Sequence, residues 1–542
     1  MRTLITVILF FAFLPCFSQK ADIILFNGKI FTGESKEHFV EAIAIRGDKV
    51  MQTGSSESIK KLATAQTKFI DLRGHTVIPG INDAHVHVGV KVPAYQFTFT
   101  QTPNDPIPWA RVRDSLHDIV KRVPKGMMIR TEIDEEILDD GSIRKHLLDS
   151  IAPDNPVILS AWTGHGYICN TAALEILGFN VDSKFLGGKT GSYPDGSLNG
   201  LLTEYAGYRV SQLLASKLAY EDIEQQVRGF YKYALSFGIT SIQVMTTSLP
   251  QEIFTRLYSS NDFGTRNRLI SFPLTTNTSI QFPEGSGPRN LNKKNYASGI
   301  KLIIDGTPIE RLAAISSAYN DDPTNFGEVN FSEDMVRRYV ETCIKTNQQL
   351  LVHTSGDSAV NTVLRRLRYE NTEDYWTAKR PRLEHADLAI LDDSDFEKIK
   401  RLGVIIVPNP AHFATPGLMT QRFGARSKYI QALKSLLNKN VRVAFGSDGP
   451  LNPFLNIMFA VVHPTNPAEG ISVAEAVMIY TYGSAFAEAK ETIKGKLVKG
   501  QLADLGVLSQ DIFSVPVGAL PGTKSIMTIV GGKIVHDEGI VK

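Results

Sequence analysis

A chain of 542 residues with 43% hydrophobic and 21% charged side chains can bury a large core, which excludes a disordered or fibrous protein. Fifty-eight Lys and Arg against 56 Asp and Glu leave a net charge of +2. Both signs are scattered, so no basic field exists to hold a phosphate backbone, and nucleic acid is not an expected partner.

The first segment reads as a secretory signal over residues 1–18: Arg2, the apolar run Leu4 to Leu14, then Pro15 and the exit Cys16-Phe17-Ser18. Cleavage is expected near Ser18–Gln19, which places the mature protein in a periplasm or outside the cell. The run is shorter than the ~18 to 20 apolar residues that a bilayer requires, so no integral span is expected in the mature chain. Lipoprotein anchoring at Cys16 is the minority alternative, because Phe13 and Pro15 are poor leads into a lipidated cysteine. Removing Cys16 leaves Cys169 and Cys343, too few for a disulfide framework and better read as small buried side chains.

Residues 19–78 carry short apolar runs broken by turn pairs, as in Ile23 to Ile30 around Asn27-Gly28 and Ala42 to Val50 around Gly47-Asp48. Residues 491–542 repeat that idiom in Ala503 to Leu508 and Ser525 to Val535. Neither end has enough strands for a stable sheet alone, so one β-sandwich built from both is expected.

The middle, residues 79–490, alternates strand and helix. Eight apolar runs are candidate strands: Val77–Ile81, Gly238–Val244, Leu269–Leu274, Ile300–Ile304, Gln349–His353, Arg382–His385, Val404–Val407 and Val441–Phe445. Helix-compatible stretches such as Asp334–Lys345 and Ser427–Leu437 separate several of them, and Val473–Ala487 carries an apolar stripe suited to packing on their outside. The economical fold is α/β, a parallel (β/α)8 TIM-like barrel. About 155 residues separate the first two strands where one repeat needs only ~30, so an inserted α/β subdomain is expected over roughly 95–225, roofing the barrel mouth.

The sharpest local signal is Pro79-Gly80-Ile81-Asn82-Asp83-Ala84-His85-Val86-His87. Histidines two apart on a strand project to one side and can share a metal, although an isolated pair is often an ordinary solvent-facing one. Lys301, His353, His385 and Asp448 also stand at the ends of candidate strands. In a barrel all such ends open on one face, so residues hundreds apart become neighbours, and a metal site follows from ligand chemistry and barrel geometry together.

Together with those residues, the runs Gly164-His165 through Asn170 to Leu174, Gly200 to Glu204, Lys301 to Gly306, Val352 to Asp357, Arg382 to Ala386 and Gly446 to Pro450 make the sequence resemble the amidohydrolase superfamily. Within it the chain is similar to amidohydrolase family 3, the branch that includes N-substituted formamide deformylases, over about residues 21 to 540. The resemblance implies one or two divalent metal ions, zinc foremost, held by His85, His87, His353, His385 and Asp448. Lys301 matches the lysine that many members carry in carboxylated form as a metal bridge. A lysine snorkelling from a strand end is the plainer alternative for it.

The expected activity is hydrolysis of a non-peptide C–N bond, amide or formamide, in a small-molecule substrate by metal-activated hydroxide, with Asp448 as ligand and proton carrier. The resemblance also places His165 at the substrate or the developing oxyanion. Glu204 is either a cleft carboxylate or an ion-pair partner. Asn409 and His412, in a run where relatives tend to have Gln-Pro, and Thr354-Ser355 touch the pocket and so the choice of substrate. Asp305 is expected to fix a turn with Gly306. Gly188-Lys189-Thr190 lacks the leading glycine of a phosphate loop, and residues 187–200 read as turns. An ester, carbamate or deamination substrate at the same site, and a non-catalytic binding protein, are the competing readings; a homodimer is left open.

Overall fold

The computed structural model describes residues 20–99, 106–282 and 287–541. The expected signal over 1–18, with Cys16, lies outside the described residues. No helix among the described residues is long and apolar enough to cross a membrane.

Eight parallel strands form the centre: β1 (Ile81–His87), β2 (Ile239–Met245), β3 (Arg266–Ser271), β4 (Asn295–Ile303), β5 (Leu350–Thr354), β6 (Arg382–His385), β7 (Ile405–Val407) and β8 (Arg442–Val443), hydrogen-bonded in that order. The two edges meet where Ala84 N donates to Phe445 O at 3.0 Å and Asp448 N donates to His85 O at 2.9 Å, which curls the sheet into a TIM-like barrel. Strands covered on both faces need apolar side chains on both, and β2 is buried at all seven positions. The outer helices bury one stripe each. In Glu333–Lys345 the stripe is Val336, Tyr339, Val340 and Cys343, and Ser332 caps the first turn by accepting from Met335 N.

The chain ends pair with each other. One six-stranded sheet runs Lys533–Asp537, Ser525–Val530, Leu505–Leu508, Thr76–Pro79, Lys29–Phe31, Phe39–Val40, and a four-stranded sheet runs Lys49–Gly54, Ala42–Arg46, Ile23–Phe26, Lys68–Asp71. Leu25, Ile43 and Ile45 of the smaller sheet share an apolar cluster with Ile30, Leu505 and Ile529 of the larger. Between β1 and β2 lies a further six-stranded sheet built from residues 95–204.

Several local expectations change. The run Val77–Ile81 is not one barrel strand: Thr76–Pro79 pairs antiparallel with Leu505–Leu508, and the barrel strand begins only at Ile81. Gly80 is the junction, where a Cβ would stand 2.1 Å from Thr240 Oγ1, so only glycine lets the chain pass between the sheets. Residues 187–200 are not plain turns, since Gly188–Ser192 and Leu198–Glu204 form an antiparallel pair. The Ser427–Leu437 helix is broken, with a tight turn at Gly424–Tyr429, a non-helical Gln431 at φ 44°, and helix only over Leu433–Asn438.

Candidate metal centre

β1 carries the first two histidines to the C-terminal mouth of the barrel. His85 Nε2 and His87 Nε2 lie 3.3 Å apart. The outer nitrogen of each ring is held: His85 Nδ1 lies 2.7 Å from Glu384 Oε2, and His87 Nδ1 lies 2.5 Å from Thr247 Oγ1. These contacts turn the Nε2 lone pairs inward, as ligation requires.

The remaining strand ends complete the cluster. His353, at the end of β5, has its ring centroid 4.3 Å from that of His385, the last residue of β6, and the rings of His85 and His385 are 4.9 Å apart. Asp448 Oδ1 is 3.3 Å from His87 Nε2 and 3.9 Å from His85 Nε2, and its Oδ2 is 3.9 Å from His385 Nδ1. His385 (φ 64°), Ala386 (φ 52°) and Asp448 (φ 53°) all adopt the left-handed backbone region that non-glycine residues avoid. Such strain persists where the surroundings over-determine it, as at binding sites.

The donor set fits a divalent cation. Burial holds His85, His353 and His385 well below the ordinary imidazole range and brings His87 down to about 4, so all four rings are neutral and offer lone pairs. Burial works against the Asp448 charge, but its surroundings, with the Lys301 ammonium the standing positive charge among them, outweigh it and keep this carboxylate ionised. One ligand atom each from His85, His385 and Asp448 lies within 4.8 Å of the others. His353 Nε2 is buried with no hydrogen-bond partner among the described residues, an expense that a ligated imidazole would not carry. Neutral imidazoles with one carboxylate suit zinc-like cations. Lys301, on β4, is 1% exposed, and its Nζ lies 2.8 Å from His85 Nε2. Burial draws its pKa down to about 8.

The other expected site residues fall around this cluster. His165 is buried with its ring centroid 5.2 Å from that of His353, its Nδ1 2.9 Å from Glu204 Oε1 and its Nε2 3.2 Å from Tyr208 OH. Glu204 is thus an ion-pair partner; burial opposes the His165 charge, and the Glu204 carboxylate more than compensates, raising its pKa. His412, half-buried, stacks on His385 with centroids 5.6 Å apart and places Nε2 3.7 Å from Asp448 Oδ2. Asn409 differs from expectation. It is fully buried and its amide donates to Gly446 O at 2.8 Å, so it braces the turn before Asp448. Asp305 does more than shape its own turn: its carboxylate accepts from Ala314 N, Ser355 N and Gly356 N at 2.9 to 3.0 Å, joining two loops.

Three further residues, not apparent as site residues in the sequence, act here. Glu384 accepts from Arg382 Nε at 2.8 Å as well as contacting His85. Asp83 accepts from Ser447 N at 2.8 Å and so ties β1 to the loop carrying Asp448. Thr247 follows β2 and bonds His87. The first two lie inside the runs Arg382 to Ala386 and Pro79 to His87, where an inward carboxylate one or two residues from a histidine is the available signal.

The family model described as "Amidohydrolase family" matches residues 68–536. Protein LONG AFTER FAR-RED 3 of Arabidopsis thaliana is 26% identical over 555 residues, covering 95% of this chain and 91% of that protein. N-substituted formamide deformylase of Arthrobacter pascens is 23% identical over 548 residues, covering 96% and 99%. Among solved structures, an uncharacterized metal-dependent hydrolase from Pyrococcus furiosus aligns with a TM-score of 0.68 at 24% identity, over 91% of this chain and 100% of that one.

Proposed function

The chain belongs to the amidohydrolase family, and on that premise we propose that it is a secreted, metal-dependent hydrolase of a non-peptide C–N bond, of the amide or formamide type. The observation that carries this reading is the convergence of four neutral imidazoles and one ionised carboxylate at the barrel mouth, with His353 Nε2 left without a partner among the described residues. The similarity to a relative named as a formamide deformylase supports the bond type.

His85, His87, His353, His385 and Asp448 would hold the cation, for which we propose zinc, with Lys301 joining them in carboxylated form. Bound there, the cation supplies an activated water and a polarised carbonyl. Asp448, ionised and one-fifth exposed, accepts the proton of the attacking water and returns it to the departing nitrogen, which is too basic to leave as an anion. His165, whose pKa the Glu204 carboxylate raises, keeps Nδ1–H on Glu204 and in its doubly protonated form presents Nε2–H as the donor toward the carbonyl oxygen as it gains charge. We read the sheet over residues 95–204 as a subdomain inserted into the barrel, the two terminal sheets as one sandwich, and residues 1–18 as the export signal.

The test is an assay of chelator-stripped and zinc-reloaded protein against formamides, acyl-amino acids and lactones. Turnover of an amide or formamide, lost on stripping and restored on reloading, is expected. Lactone turnover alone would move the site to esters, and a metal-loaded protein inert toward all three would sink the hydrolase reading. N-terminal sequencing of the exported protein should begin at Gln19.

A further inference from the structure

The helix that follows Glu204 turns one face toward a cavity beside the metal centre. Tyr205, Tyr208, Arg209 and Gln212 stand at positions i, i+3, i+4 and i+7 of Tyr205–Ala215, which is the spacing of a single helix face. All four line a cavity of about 410 Å³, and Arg209 and Gln212 also line an adjoining one of about 930 Å³. Phe272, just past the end of β3, lines both; its ring stacks on Tyr205 at 5.1 Å and meets Tyr208 edge-on at 5.5 Å.

Two of these wall residues also touch the machinery of the site. Tyr208 OH lies 3.2 Å from His165 Nε2. Gln212 Nε2 donates to Thr247 O at 3.0 Å, and Thr247 Oγ1 is the group that holds His87 Nδ1 at 2.5 Å. Tyr208 therefore stands between this cavity and His165.

The charge of the lining is lopsided, with Lys184, Arg209, Arg256 and Arg289 against Asp182 and Glu252. Among the described residues Arg209, half-buried, donates to Gln212 Oε1 at 3.2 Å and has no carboxylate within ion-pair distance. Arg256, exposed, lines the larger cavity, stacked over Tyr220 at 3.6 Å, likewise without a carboxylate partner among the described residues. The acidic residues of the lining, Asp182 and Glu252, are exposed at the rim. A guanidinium beside aromatic faces is suited to a planar anion at the end of an apolar or aromatic body.

We propose that this cavity is a substrate subsite and that the physiological substrate carries an aromatic or apolar group ending in a carboxylate, which Arg209 receives. The inference rests on the hydrolase reading for the word substrate, but the binding site itself can be tested without turnover.

Calorimetric titration of the metal-loaded full chain with phenylacetate and with phenylacetamide, its neutral counterpart, separates the two questions. Phenylacetate is expected to bind at least ~10-fold more tightly, a ratio in keeping with a charge-assisted pair in a partly enclosed site. Arg209→Gln should remove the difference, while Arg209→Lys keeps the charge, loses the flat fork and retains part of it. Equal affinities in the natural chain would overturn the proposal. A preference that survives Arg209→Gln would also overturn it, by placing the carboxylate on the metal centre. Should the Gln variant fail to fold, crystals soaked with 4-bromophenylacetate decide: a bromine anomalous peak beside Tyr208 and Phe272 supports the subsite, and a peak elsewhere rejects it. Absence of hydrolysis of every amide, with this binding preference intact, would indict the proposed activity and leave the subsite standing.

Discussion

Glu384 Oε2 lies 2.7 Å from His85 Nδ1, and neither side chain has any solvent exposure. The same carboxylate accepts from Arg382 Nε at 2.8 Å and Nη2 at 3.0 Å, so one buried anion both neutralises a guanidinium and sets the tautomer of a metal-site imidazole.

Glu384→Gln should therefore weaken metal binding by about 10–100-fold, the usual effect of removing the group behind a ligating imidazole. Competition with a chromophoric chelator measures it. Glu384→Ala should in addition cost roughly 3–5 kcal/mol of stability, because Arg382 is left charged and unpaired in the barrel. Unchanged zinc affinity in the Gln variant would mean that the His85 orientation is set by strand packing alone.

Asp448→Asn keeps the shape of the side chain and the backbone bond from Asp448 N to His85 O. At saturating zinc, kcat should fall by about 10²–10⁴-fold with the circular dichroism spectrum unchanged. Turnover near that of the natural chain would take the proton-transfer step away from this residue.

Much of this cluster is legible in the amino-acid sequence, because a parallel barrel sends every strand's C-terminal end to one face; His85, His353, His385 and Asp448 need only that rule. What pattern cannot supply is orientation. Glu384 in Arg382 to Ala386 reads the same whether it faces solvent, salt-bridges or holds an imidazole, since the partner, His85, is 299 residues away. Asn409 misleads for a related reason, its neighbours in the chain being at the mouth while its amide turns inward to Gly446. The split of Val77–Ile81 between two sheets is hidden because both halves are apolar, and only the approach of Thr240 to Gly80 reveals the junction.

Acid should expose a pairing far from the metal centre. Burial opposes the charge of Glu475, but Lys36 Nζ at 2.5 Å and Ser472 N and Oγ at 2.8 Å outweigh it and hold this carboxyl at about 2 against an ordinary 4.5. The folded value is the lower one, so the stabilisation is complete above 4.5 and disappears as pH falls from there through about 2. Lys36 is largely exposed, and screening reduces its share. Glu475→Gln should cost about 1 kcal/mol near neutrality, chiefly through the lost charge facing Lys36 and the Ser472 donors, since a Gln amide oxygen can still close the capping box. Urea unfolding at about pH 7 and about pH 3 should show the gap between the two proteins shrinking in acid; a constant gap would assign the loss to packing instead.

Gly446 tests whether the turn after β8 must lie directly against β1. A Cβ at this position would stand 2.3 Å from His85 Cβ and 2.8 Å from His85 N, and backbone cannot yield as a flexible side-chain tip does. Gly446→Ala should cost about 1–3 kcal/mol by overpacking. The displaced turn also carries Asp448 away from His87, so metal affinity should drop even in protein that remains fully folded. Gly417→Ala is the matched control: it lies in the helix Pro416–Phe423, where an added Cβ meets no described atom within 4 Å beyond its own helix, and should be neutral or slightly stabilising. Thermal unfolding paired with chelator competition separates the two effects. If Gly446→Ala lost stability but bound zinc as the natural chain does, the relation between His85 and Asp448 would not depend on this contact, and the geometry of the centre would have to be maintained by the Asp83–Ser447 bond instead.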